Sequence, residues 1–312
     1  DWLRQMVGLP ESAGGLFVSG GSVANLVGLA AARQQYPEAL QRGRVYYSDQ
    51  THSCVARALR ILGFREEQMC VLESDSQFRL PVERLTEQIR RDREAGWMPF
   101  CVVANAGTTN TGAVDDLNAL ADLCAAENLW LHADGAYGAP AVLTEEGARL
   151  MKGIHRLHSL ALDPHKWLYQ PMMAGCILVR EFDHLRQAFH ILPPYLQDKE
   201  SGVRGVDLCD YGVELSRGFR ALKVWMALKV FGLEAFRQAM EHNLHLARVA
   251  EQTLRTMPHW EVVSPAQLGI VAFRYAPPYM EPEACDSLQR ALVNAMLEEG
   301  LALVSSTVLK GR

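Results

Sequence analysis

The sequence predicts an α/β protein: a mostly parallel sheet with flanking helices, followed by a smaller C-terminal α+β domain. Short apolar runs bounded by turn residues alternate with helix-spaced segments through the first two-thirds of the chain, the pattern of βαβ units. Those runs are nearly continuous rather than alternating, as in strands covered on both faces. The pattern then gives way to one long helical stretch and a few short strands.

Taken in order, residues 1–4 read as helix already under way. Strands are expected at 44–48, 69–72, 100–105, 129–133, 159–162 and 176–179, and helices at 23–36, 53–62, 82–95 and 117–127. Residues 219–257 read as one helix bent near Gly232. Strands at 261–263 and 269–274 and a helix at 287–299 complete the smaller domain. The expected division is a large domain over 1–224 and a smaller one over 225–312. The sequence starts on Asp1, and residues 302–309 read as a strand cut short, so a fragment of a longer protein is expected.

The 312 residues are 49% hydrophobic and 21% charged, enough for a large core. A net charge of −5 argues against a nucleic-acid surface built on bulk charge. The 7 cysteines are scattered without a CxxC pair, which argues against a disulfide framework or a zinc site and for a reducing cytosol. No apolar run approaches a membrane span, and no signal peptide opens this sequence.

The chemistry gathers at expected strand ends, where open α/β sheets keep their active groups. Lys166 follows the apolar run 159–162 within Asp163-Pro164-His165-Lys166-Trp167. It is either a solvated surface charge or a lysine desolvated for imine chemistry. Asp134, in His132-Ala133-Asp134-Gly135-Ala136-Tyr137, is either a turn aspartate or a buried carboxylate that pairs with a pyridinium nitrogen. Ser19-Gly20-Gly21-Ser22-Val23-Ala24-Asn25 precedes a helix and reads as a capped turn or as a phosphate cup. His52 follows the strand at 44–48; it is structural, or it stacks on a flat ring and moves protons. The loop 106–112, with Thr108, reads as a polar turn. The pairs His155/His158 and His242/His245 lack companion ligands and read as helix-surface residues. No GxSxG or HExxH pattern competes.

Together these motifs resemble, in order and over nearly the whole chain, the group II pyridoxal-5′-phosphate (PLP) decarboxylases of the aromatic-amino-acid and glutamate type. The most specific match is Asp163-Pro164-His165-Lys166-Trp167-Leu168. Arg217-Gly218-Phe219-Arg220-Ala221-Leu222-Lys223-Val224-Trp225 matches a later signature, with Gly218 where Arg is common; Val23 replaces the usual Glu of the phosphate loop. The resemblance implies the PLP-dependent transferase type I, aspartate aminotransferase-like fold, with a mostly parallel sheet of the seven-stranded type, and a homodimer with its active site at the interface. It implies that Lys166 binds PLP covalently, Asp134 pairs with the ring nitrogen and His52 stacks on the ring. Gly21 and Ser22 would hold the phosphate with help from His165 and Asp163, and Thr108 and Ala136 would line the pocket. Tyr195 matches the tyrosine of the family's catalytic loop and would protonate Cα, aided by His52; family members with Phe there tend toward aldehyde formation. The alternatives are another PLP reaction on the same fold, such as transamination or oxidative decarboxylation, and an inactive homologue. The substrate side chain is not legible in these motifs.

Overall fold

A computed structural model describes residues 1–191 and 206–311. The strands are β1 (Gly14–Val18), β2 (Gly43–Ser48), β3 (Met69–Leu72), β4 (Met98–Asn105), β5 (Trp130–Asp134), β6 (Ser159–Leu162), β7 (Gly175–Val179), β8 (Trp260–Gln267) and β9 (Ile270–Tyr275). The helices are α1 (Trp2–Met6), α2 (Gly21–Gln35), α3 (Ala39–Arg42), α4 (Ser53–Ile61), α5 (Val82–Glu94), α6 (Leu117–Glu127), α7 (Glu145–Leu150), α8 (Asp183–Phe189), α9 (Arg220–Thr256) and α10 (Pro282–Glu298).

Seven strands form one sheet in the order β1-β7-β6-β5-β4-β2-β3. The run from β6 to β3 is parallel; β7 is antiparallel to both of its neighbours, β6 and β1. The central strands are buried on both faces, which is why β6 and β7 carry no polar alternation. Helix α2 packs against β5, β6 and β7 and also meets α4 and α8. It is therefore covered on most sides, and its buried residues are small: Ala24, Ala30, Ala31 and Ala32 beside Val27 and Leu29. Helix α4 shows the commoner amphipathic pattern, with Val55, Ala58 and Leu59 inside and Arg57 and Arg60 outside. Helix α6 is capped by Asp116, which accepts from Ala119 N–H at 3.0 Å, and ends on Asn128 in the left-handed region.

The chain divides into two compact units, one of residues 1–108 and 113–240, the other of 109–112 and 241–312. The first holds the large sheet. The second holds the β8–β9 hairpin and α10. Helix α9 runs 37 residues and breaks at Gly232, whose φ of 73° only glycine adopts freely, as the sequence predicts.

The structure corrects three expectations. Strand β1 was not foreseen: Gly14 and Gly15 weaken its apolar pattern, yet a side chain at Gly15 would lie 2.0 Å from the Ile177 carbonyl oxygen, so close strand packing requires the glycine. Residues 302–309 form no strand; Leu303 and Val308 are exposed, and no neighbouring edge pairs with this run among the described residues. His158 is not on a helix surface. It is half-buried just before β6, accepts Leu131 N–H on Nδ1 at 2.9 Å and stacks on Trp130; burial pushes its pKa down to about 4.

Candidate active site

Because β2, β4, β5 and β6 are parallel, the residues that follow them emerge along one edge of the sheet. β1, reached through two antiparallel steps, ends there too. That topology brings Gly20–Ser22, His52, Thr108, Asp134 and Lys166 to one edge from distant parts of the sequence.

Asp134 ends β5 and is 8% exposed. Its Oδ1 accepts Ala136 N–H at 3.1 Å, and its Oδ2 faces the Cys54 thiol at 3.8 Å. Burial raises its pKa; the Ala136 N–H, the charges of Lys166 and His52 and a hydrogen bond from Asn25 oppose that rise. His52 caps α4, its Nδ1 accepting Cys54 N–H at 3.2 Å, and the rest of its ring is exposed.

The Lys166 loop follows β6. Asp163 is buried. Its Oδ2 lies 3.2 Å from Lys166 Nζ and 3.6 Å from His165 Nε2. His165 Nδ1 accepts Ala174 N–H at 2.9 Å, which fixes the ring. Lys166 departs from the desolvated reading, since its side chain is 44% exposed. Its neighbours Asp163, Trp167 and Leu168 turn inward, and the buried Asp163 carboxylate stabilises the exposed ammonium. The lysine and aspartate loops are joined where Asp163 N–H donates to the Ala136 carbonyl at 3.1 Å and where Tyr137 stacks on Trp167 with centroids 4.8 Å apart.

The start of α2 lies against this loop. A Cβ on Gly21 would stand 2.9 Å from Asp163 Oδ2 and 3.0 Å from Ala136 Cβ; one on Gly20 would stand 3.2 Å from the His165 ring. The helix N-terminus has no side-chain cap, and Ser22 is exposed. These features fit a phosphate: open first-turn N–H groups, a serine hydroxyl and a notch that any side chain would fill. Asp163 Oδ1 is buried with no hydrogen-bond partner among the described residues, which leaves it an acceptor for a further donor. Thr108 is buried, its Oγ1 accepting Ala113 N–H at 3.1 Å, and Ala136 is buried beside Gly21. Tyr195 lies outside the described residues. Among the described residues no His, Cys, Asp and Glu cluster suits a metal, and no helix is long and apolar enough to cross a membrane.

The sequence motifs contain Asn25, Cys54, His132 and Ser159 without giving them a role, and Trp130 was not singled out. All touch the buried side of Asp134 directly or in chain. Trp130, His132 and Asp134 share one face of β5 by the two-residue repeat of a strand, the one signal available beforehand.

Residues 1–276 match the family model for the pyridoxal-dependent decarboxylase conserved domain. The chain is 51% identical, over 99% of its length and 65% of the relative's, to an aromatic-L-amino-acid decarboxylase of Bacillus atrophaeus. It is 34% identical to a phenylacetaldehyde synthase of Arabidopsis thaliana, over all of this chain and 66% of that one. A crystal structure of Oryza sativa TDC with PLP and tryptamine superposes with a TM-score of 0.93 at 33% identity, covering 100% of this chain and 68% of that one. The chain thus spans about two-thirds of the length of the curated relatives it matches.

Proposed function

The chain belongs to the pyridoxal-dependent decarboxylases, and from that premise we propose that its protein removes the α-carboxylate of an aromatic L-amino acid, releasing CO2 and the amine. The observation that carries this reading is the convergence of Lys166, His52 and Asp134 at one sheet edge, where the Lys166 ammonium favours the charged form of Asp134. The aromatic substrate class is supported by the likeness to the Bacillus atrophaeus decarboxylase.

In this reading PLP, when bound, supplies an electron-poor ring that takes up the electron pair of the broken Cα–carboxylate bond. Lys166 would hold the cofactor through its ε-amine, which stands open above Asp163. Asp134, buried and supplied with N–H donors, would accept the ring nitrogen's proton as a hydrogen bond. Gly21 and Ser22 would hold the phosphate at the α2 N-terminus, with His165 and Asp163 bracing the adjoining loop and Thr108 and Ala136 lining the pocket. His52, whose Nδ1 is engaged by Cys54 N–H, keeps Nε2 for the ring or a proton. Tyr195 would return the proton to Cα.

The protein is incubated with PLP and L-tryptophan, L-tyrosine, L-phenylalanine or L-DOPA while CO2 and amine are followed. Stoichiometric amine and CO2 from at least one of them are expected. Keto acid without CO2 would make it an aminotransferase, and aldehyde with oxygen uptake would favour the oxidative chemistry named for the Arabidopsis relative.

A homodimer and a cytosolic location belong to the same proposal. Supporting the first, Phe219, Trp225, Met226, Val230 and Phe231 are large apolar side chains left exposed on α9 and its approach. Supporting the second, all 7 cysteines are free. Sedimentation of an active protein as a strict monomer would remove the dimer.

A further inference from the structure

A hydrogen-bonded chain runs beneath Asp134. Trp130 Nε1 donates to Ser159 Oγ at 2.8 Å. Ser159 Oγ lies 2.7 Å from His132 Nδ1, and His132 Nε2 lies 2.7 Å from Asn25 Oδ1. The Asn25 amide nitrogen donates to Cys54 Sγ at 3.3 Å and also bonds the Asp134 side chain; the Cys54 thiol faces Asp134 Oδ2. His132, Asn25 and Ser159 are at most 1% exposed.

With Asp134 ionised, this chain takes only one sense. A carboxylate accepts and does not donate, so the Asn25 amide must turn its N–H groups toward Asp134 and its oxygen toward His132. His132 must then donate from Nε2, which leaves Nδ1 bare. Burial depresses the pKa of His132 to about 3, so the ring is neutral and has no second proton. Nδ1 therefore accepts the hydroxyl proton of Ser159, whose oxygen is free to accept from the Trp130 indole. Every proton points toward Asp134. Helix α2 is shaped to admit the ring: a Cβ on Gly28 would stand 2.8 Å from His132 Cε1.

We propose that Trp130, Ser159, His132 and Asn25 act as positioning residues that hold Asp134 ionised and oriented toward the cofactor's ring nitrogen. This rests on the proposed function. Reversing the His132 tautomer would let the Asn25 amide flip and set its oxygen against the carboxylate, which favours protonation of Asp134 and disables it as partner to a protonated ring.

The tautomer is read first, by long-range 1H–15N NMR of the cofactor-free full chain, with His132 assigned by its absence from His132→Gln. The expected state is Nε2–H with bare Nδ1. The holoprotein is then prepared with PLP labelled with 15N in the ring, as wild type, Ser159→Ala and Ser159→Thr. In Ser159→Ala the histidine signal moves toward mixed tautomers, the ring nitrogen loses its protonated signature, and kcat falls about tenfold while KM changes by less than about threefold. Ser159→Thr, which keeps the hydroxyl, restores all of these. An Nδ1–H tautomer in the wild type overturns the proposal and needs no variant to fold. So does a Ser159→Ala protein with both nitrogen signatures unchanged. A wild-type protein that takes up no PLP sinks the proposed function instead, while the tautomer measurement still decides the chain.

Discussion

Beneath Asp134 the polar groups are buried and paired in sequence from Trp130 to Asn25. Facing it, Lys166, His52 and Ser22 stand exposed on a loop and at two helix starts. Buried polar groups must be fully satisfied, because an unpaired one costs about 1–3 kcal/mol. Groups that must exchange partners need room and access. The difference teaches that the site has a fixed half, which sets electrostatics, and an open half, which meets ligand; substitutions should sort accordingly into effects on stability and effects on turnover.

The strongest way to break that division is Lys166→Arg, which keeps the cation beside Asp163 but removes the amine. Decarboxylation is expected to fall by about a thousandfold or more, with a melting temperature within a few degrees of wild type. Steady-state CO2 release and thermal melts check it. Retained activity, or unfolding, would erase the distinction.

The fixed half should instead show itself in pH-dependent stability. His132 and His158 have folded-state pKa values of about 3 and about 4, against an ordinary 6.5. The unfolded chain therefore binds protons first. The stability these neutral rings contribute is present above pH 6.5 and is lost as pH falls below it, by about 2 kcal/mol per ring at pH 5. Urea midpoints between pH 5 and 8 measure the slope. His158→Gln, which keeps an acceptor for Leu131 N–H, should lower the slope by one ring's share, and a slope equal to the wild type's would contradict a buried neutral His158.

The smallest effect sharpens the seam between the halves. Tyr137→Leu removes the stack on Trp167 that ties the aspartate loop to the lysine loop. A loss of about 1 kcal/mol in unfolding free energy is expected, together with PLP binding weakened a few-fold. A weaker fold with unchanged PLP affinity would show that the stack supports the fold but not the site.

Much of the framework was legible beforehand. Strands β3 and β6 and helix α6 lie at the expected positions, because apolar runs and helical spacing are local signals. The β8–β9 hairpin is longer than the short strands expected. Pro265 interrupts its pattern, and the pairing passes that stretch at a register shift between Ser264 and Gln267. Lys166, Asp134 and His52 were legible as strand-end residues. The exposure of Lys166 was not, since whether the turn after a strand faces inward depends on what packs over it.

By itself the sequence determined the α/β alternation, the strand-end placement of Lys166, Asp134 and His52, and the family that their motifs resemble. Tertiary structure alone decided that Asn25 of α2, Cys54 of α4 and Ser159 of β6 meet His132 and Asp134 on one face of β5. The physical reason is range. Periodicity reports which way a side chain points within its own element, whereas a hydrogen bond exists only where two elements, far apart along the chain, are packed to within about 3 Å.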